Sequence, residues 1–186
     1  MIYGERIRFR HMERSDLPRF VDYLNDPEVN WGLAVYLPLS LAAEEQWFVN
    51  MLKRPPAEQP LAIEVRQPDP AGGQDNWLLV GNCALLDIDW RNRSAELGIL
   101  IGEKEYWGQG YGTETLRLLV KHAFETLNLH RVWLRVYETN PRAIRAYEKA
   151  GFVLEGRQRQ AEVKNGKYID VLVMSLLREE FQASQA

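Results

Sequence analysis

The residues of this chain that can do chemistry gather in two stretches. In the first, EKEYWGQGYGTET, glycines alternate at Gly108, Gly110 and Gly112, and a helical period begins directly behind them. Glycine admits positive φ and close backbone approach. The free N–H groups at a helix start attract anions such as phosphate. Residues 109–113 therefore read either as a phosphate cradle of backbone N–H groups or as a tight turn that needs glycine for geometry alone. A nucleotide P-loop requires GxxxxGK[ST], and no Gly-Lys-Ser/Thr occurs. A dinucleotide fingerprint requires GxGxxG, but the sixth position is Thr113 counted from Gly108 and Thr115 counted from Gly110. In the second stretch, NPRAIRAYEKAG, Asn140 and Pro141 have the character of an N-cap and a first helical residue. Tyr147 follows Asn140 by about two helical turns, so both occupy one helix face.

Composition removes other chemistries. Lys and Arg total 23 against 26 Asp and Glu, a net charge of −3. A nucleic-acid binder ordinarily shows a basic excess instead. The single Cys83 rules out an internal disulfide and a thiolate cluster for zinc. Placed inside an expected strand, it reads as a small buried residue rather than a nucleophile. His11, His122 and His130 lack the HExxH spacing of a metalloprotease, and the last two flank a helix as structural residues. No apolar run approaches the roughly 20 residues of a membrane span, and MIYGERIRFR is charged where a secretory signal is apolar. The expectation is a cytoplasmic protein with no metal, no nucleic-acid partner and no membrane partner.

The elements that position these residues follow from periodicity. Residues 6–11 alternate as a strand. Ser15 or Asp16 caps a helix whose Leu17, Phe20, Val21 and Leu24 recur at helical spacing. A second helix runs from about Ser40 to Lys53, and the aromatic stretch NWGLAVYLPLS between the two reads as a loop. Residues 61–66 and 77–89 form a hairpin around QPDPAGGQDN, the strongest turn signal in the chain. RNR at 91–93 turns into a strand over 95–102. Residues 110–127 are helical, with Leu116, Leu119, Val120, Ala123, Phe124 and Leu127 on one stripe. A strand over 131–137, a helix closed by Gly151, and two strands joined at Asn165-Gly166 complete the chain. The crossover from 95–102 through the helix to 131–137 makes those two strands parallel. The order β-αα-βββ-α-β-α-ββ gives a mixed, mostly antiparallel α/β sheet flanked by helices. At roughly 150 residues per domain this is one domain, over 1–182, with a flexible tail at 183–186.

Three blocks together resemble the GNAT family of N-acetyltransferases. AELGILIGEKEYWGQGYGTETL resembles the family's motif A, and NPRAIRAYEKAGFVLEG its motif B. GERIRFRHMERSDLPRF resembles the opening strand and helix of the ribosomal-protein and spermidine acetyltransferase (RimJ/RimL-type) branch. The resemblance implies the GNAT fold, with strands 95–102 and 131–137 splayed apart, acetyl-CoA as donor and a primary amine as acceptor. It places the pantetheine arm beside Ile99, Leu100 and Ile101, and the pyrophosphate on Gln109, Gly110, Tyr111, Gly112 and Thr113. Trp107 stands where the family pattern has Gln or Arg. Asn140, Arg142, Ala143 and Lys149 are the further cofactor positions. For Arg142, Arg145 and Lys149 a solvated helix face explains the charges equally well, and Ala143 stands where the family often has Ser.

Amine acetylation needs a neutral amine, a donor for the carbonyl oxygen and a proton for the leaving thiolate. The resemblance assigns the proton to Tyr147, which otherwise reads as a packed aromatic. It makes Glu96 the base near the acceptor amine; a plain strand carboxylate is the other reading, and Asp87 and Asp89 are rivals. Trp31 and Tyr36, in the 30–39 loop, are candidates for the acceptor site, or else for core or dimer contacts. The acceptor is a protein N-terminus or a small amine such as a polyamine. Without a nucleophilic cysteine, transfer is direct within a ternary complex. A non-catalytic acyl-CoA-binding module is the alternative function, and a homodimer is compatible with the aromatic-rich surface.

Overall fold

The computed structural model describes residues 1–67 and 76–183. Its eight strands form one sheet in the order β1-β2-β3-β4-β5-β6-β8-β7. They are β1 (Ile2–Tyr3), β2 (Ile7–His11), β3 (Leu61–Gln67), β4 (Asn76–Asp89), β5 (Ser94–Ile101), β6 (Arg131–Tyr137), β7 (Val153–Lys164) and β8 (Lys167–Leu177). All neighbours are antiparallel except β5 and β6, the crossover pair. The helices are α1 (Leu17–Asn25), α2 (Pro27–Asn30), α3 (Leu41–Met51), α4 (Tyr111–Lys121), α5 (Pro141–Lys149) and α6 (Arg178–Ala183). The mixed α/β sheet expected from the sequence is therefore present, with β1, α2 and α6 in addition. Residues 68–75 of the QPDPAGGQDN turn and 184–186 of the tail lie outside the described residues, while Ala183, expected in the tail, ends α6.

Among the described residues two large apolar clusters cover the sheet, with a small third one of Tyr137, Ile169 and Val171 between β6 and β8. Leu116, Leu119, Val120, Ala123 and Phe124 enter the larger one, with Leu134, Tyr147, Phe152 and Phe181. This is the stripe read from periodicity. The second large cluster joins Leu17, Phe20 and Tyr23 of α1 to Phe48 and Met51 of α3, over Ala62 and Leu79. The expected 110–127 helix differs in one respect. After Lys121 it unwinds into a π turn over His122–Thr126, with Leu127 N–H donating to the His122 carbonyl at 3.1 Å. Ala123 and Phe124 remain in the larger apolar cluster through that turn.

One feature of the sheet positions everything that follows. β5 and β6 pair at only three positions, Ser94 with Arg131, Ala95 with Val132 and Glu96 with Trp133. Beyond Glu96, β5 continues against β4 as far as Ile101, while β6 continues against β8 as far as Tyr137. Each strand keeps one partner and loses the other, so the sheet opens between them. Backbone contact in β4 is tight here: a Cβ on Gly81 would lie 1.9 Å from the Leu100 carbonyl oxygen.

Candidate active site

The opening continues into a cleft of about 370 Å3 between the C-terminal half of β5, the start of α4 and the length of α5. Ile99, Leu100 and Ile101 line it from β5, and Gly110, Gly112 and Thr113 from the head of α4. From the other side come Asn140, Arg142, Ala143, Tyr147 and Lys149. Two sequence blocks separated by a strand thus meet across one gap.

The head of α4 has the properties of an anion site. Gly110 is its N-cap at φ 88°, with no side chain to accept from the first-turn amides. A Cβ on Gly112 would meet nothing within 4 Å, so the approach to those amides is open. Unsatisfied N–H groups and the positive end of the helix dipole both favour phosphate there. Gln109 and Tyr111 do not line the cleft. The Gln109 side chain donates to the Glu105 carbonyl, and Tyr111 packs edge-on against Tyr106 at 5.2 Å. Trp107 is engaged as well: its indole N–H donates to the Ile101 carbonyl at 2.7 Å. The Arg142 guanidinium lies 3.3 Å from the centre of its ring. Arg142 has no carboxylate partner within salt-bridge distance among the described residues, and burial pulls its pKa below the ordinary guanidinium value.

Asn140 caps α5, its Oδ1 accepting from Ala143 N–H at 3.2 Å. Two turns on, Tyr147 is 8% exposed and packs edge-on against Phe152. No hydrogen bond to its hydroxyl occurs among the described residues. Burial pushes the phenol up to about 12. It is a protonated donor with no acceptor among the described residues.

Glu96 sits where β5 and β6 part, but it does not itself line the cleft and reaches it only through its partner Arg135. Arg135 Nε donates to its Oε1 at 2.9 Å, and Arg135 itself lines the cleft. Sequence reasoning missed Arg135; the signal was its parallel register two residues beyond Trp133, the partner of Glu96. The rival carboxylates stand apart. Asp87 and Asp89 are exposed, and Asp89 accepts from the backbone and side chain of Asn92 in the following turn. The acceptor candidates also sit differently from expectation. Tyr36 is 85% exposed and Trp31 38%, and neither lines the cleft. Val29, Gly32 and Leu33 reach it instead. The backbone at Gly32 is so close to Asn140 that a Cβ would lie 2.5 Å from Asn140 Nδ2. Cys83 is buried in β4, and burial raises its thiol far above the usual range, so it carries no thiolate at neutral pH. His122 is half-buried, and burial lowers its pKa. No group of three metal-ligating side chains occurs among the described residues, and no described helix is long and apolar enough to cross a membrane.

The acetyltransferase (GNAT) domain model matches residues 6–153. The chain belongs to the GNAT acetyltransferase family. An uncharacterized N-acetyltransferase of Bacillus licheniformis is 30% identical over 182 residues, covering 97% of both chains. A spermidine N(1)-acetyltransferase of Vibrio cholerae is 30% identical over 178 residues, 96% of both chains. The crystal structure of a spermidine N-acetyltransferase from Vibrio cholerae in complex with CoA and spermine matches the fold at a TM-score of 0.81 and 28% identity. That match covers 96% of this chain and 99% of the other. The GNAT fold expected from the sequence is the one present, and the protein is an acetyl-CoA-dependent N-acetyltransferase. The residues of the cleft fit the donor: open amides for phosphate, a gap between strands for a narrow chain, and an unpaired phenol beyond it.

Proposed function

We propose that this GNAT enzyme acetylates a small aliphatic polyamine of the spermidine class by direct transfer in a ternary complex. The observation that carries the mechanism is that Tyr147 lines the cleft with a hydroxyl that makes no hydrogen bond among the described residues and stays accessible from the cleft. The spermidine specificity of relatives that match nearly the full length supports the acceptor. The charged side chains that line the cleft, Arg135, Arg142, Arg145 and Lys149, are all cationic; they suit the anionic donor, so the acceptor reading rests on the relatives.

Acetyl-CoA, when bound, supplies the acetyl group as a thioester. The head of α4 binds its phosphates through backbone N–H groups, and Ile99, Leu100 and Ile101 flank the pantetheine arm. Asn140 keeps the N-terminus of α5 in register, with Arg142, Ala143 and Lys149 along the donor's path. Tyr147 donates a hydrogen bond to the leaving sulfur as it takes on thiolate charge, without giving up its proton. Glu96, held by Arg135, accepts the acceptor's proton through water. This matters because a lysine-like amine titrates near 10.4, leaving roughly one molecule in a few thousand neutral at pH 7. The buried thiol of Cys83 supports transfer without an acetyl-enzyme.

The test is initial-rate kinetics with acetyl-CoA and a panel of spermidine, spermine, a simple monoamine and a peptide with a free N-terminus. Products are identified by mass spectrometry. The expected result is acetylspermidine, at a kcat/KM at least tenfold above that of the peptide, with intersecting double-reciprocal lines. Preference for the peptide would assign the enzyme to protein N-termini instead, and parallel lines would reject the ternary complex.

A further inference from the structure

The glycine loop is held from far away in the sequence. Arg6, the residue before β2, donates its backbone N–H to Glu114 Oε1 and its Nε to Glu114 Oε2, both at 2.8 Å. Its Nη1 donates to the Gln109 carbonyl at 3.2 Å. Its guanidinium carbon lies 4.3 Å from the centre of the Tyr111 ring, and a Cβ on Gly110 would come within 3.3 Å of its Nη2. One side chain thus touches residues 109, 110, 111 and 114.

Two needs of an anion cradle are met by these contacts. Amides aimed at a phosphate turn their neighbouring carbonyls the other way, and each such carbonyl needs a donor. Arg6 supplies it to Gln109. The second need is electrostatic. Glu114 lies in the first turn of α4, where a carboxylate suits the helix dipole. The same carboxylate repels an anion arriving at the same helix end. Its side chain is 17% exposed, so water screens it little. The bidentate-like hold of Arg6 cancels that charge where the repulsion would act.

We propose that Arg6 is a positioning residue of the donor site, which neutralises Glu114 and fixes the Gln109 carbonyl so that the α4 head accepts the phosphates of acetyl-CoA. The proposal rests on the reading that residues 110–113 hold those phosphates. It assigns no direct contact between Arg6 and the donor.

The experiment is calorimetric titration of wild type, R6Q, R6K, E114Q and R6Q/E114Q with acetyl-CoA and with acetylpantetheine. The second ligand keeps the thioester and the arm but has no phosphate. Thermal denaturation of each variant runs alongside. Wild type is expected to bind acetyl-CoA more tightly than acetylpantetheine. R6Q is expected to lose roughly tenfold toward acetyl-CoA, the size of one uncompensated charge near the site, while acetylpantetheine changes less than twofold. R6K, which keeps the charge, stays within about threefold of wild type. The decisive variant is R6Q/E114Q, in which the repelling carboxylate is gone: it recovers most of the lost affinity. A double variant as weak as R6Q, or an equal loss toward both ligands, would overturn the proposal and leave Arg6 a general structural residue. Phosphate-dependent wild-type binding with an unaffected R6Q rejects Arg6 alone. Equal wild-type affinity for the two ligands removes the phosphate cradle itself, and the proposal with it.

Discussion

Replacing Tyr147 by Phe removes one hydroxyl and leaves the packing in place. The ring keeps its edge contact with Phe152 at 6.0 Å. The hydroxyl has no hydrogen bond to lose among the described residues and is accessible from the cleft, so its deletion leaves no buried partner unpaired. Thermal stability is therefore expected to hold, and any loss of rate belongs to the chemistry. Its size follows from acidity. A phenol pushed up to about 12 stands well above a thiol of about 8.5, so full proton transfer to the leaving sulfur is uphill. Tyr147 acts as a charge-directed hydrogen-bond donor, an interaction of about 1.5–3 kcal/mol. At about 1.4 kcal/mol per factor of ten, kcat should fall by about 10- to 150-fold. The assay is release of CoA thiol under saturating substrates, with the acetyl-CoA dissociation constant measured in parallel and expected within threefold of wild type. A kcat within threefold of wild type refutes the role given to Tyr147. A parallel loss of acetyl-CoA affinity would mean the hydroxyl serves binding instead.

Further outcomes follow from the same geometry. The pH profile of kcat/KM should climb from pH 7 toward 9.5 as the acceptor amine deprotonates, with no alkaline fall from Tyr147, because its raised pKa keeps it protonated there. In the unfolded chain that phenol ionises near 10, so between roughly pH 10 and the folded value of about 12 the unfolded state sheds its proton first. Tyr147 therefore withdraws stability as pH rises through that window, which alkaline denaturation of wild type against Y147F can read. Gly32→Ala would drive a Cβ into Asn140 Nδ2 and strip the α5 cap, costing about 1 kcal/mol. For a chain of this size that is a loss of about 2–4 °C in Tm, accompanied by a higher KM for acetyl-CoA. Cys83 should resist alkylation in the native protein and react only on denaturation; rapid native labelling would remove the support that burial gives to direct transfer.

Local signals made most of the sheet legible in advance. Gly151, at φ 101°, closes α5 where the glycine stands in the sequence, and Asn165 and Gly166, at φ 49° and 75°, turn the last hairpin. These are short-range rules, in which one residue type satisfies one backbone need. Long-range contacts were not legible. Arg6 reaches Glu114 across 108 positions, and nothing in an alternating RIRFRH run announces it. Arg135 carries no local signal, and only the parallel register of β5 and β6 sets it beside Glu96. The acceptor loop misled in another way. Trp31 and Tyr36 drew attention as aromatics, yet the cleft is reached by Val29, Gly32 and Leu33, because close approach to Asn140 favours a residue without a side chain. The π turn was hidden because a single inserted residue leaves the apolar stripe nearly intact.

The central claim is that the gap between β5 and β6 receives the acetyl donor, and plugging it tests that most directly. Ala143 lines the cleft from the first turn of α5, at the edge of the larger apolar cluster, where a larger side chain is expected to fill the open volume of the cleft. Calorimetric titration of acetyl-CoA into wild type and Ala143→Trp should give a dissociation constant at or below about 100 µM for wild type, within the usual substrate range. The plugged variant should show no binding at tenfold higher concentration while melting within a few degrees of wild type. Equal affinity in the two proteins would mean that the donor binds elsewhere and that the splayed strands are not its site.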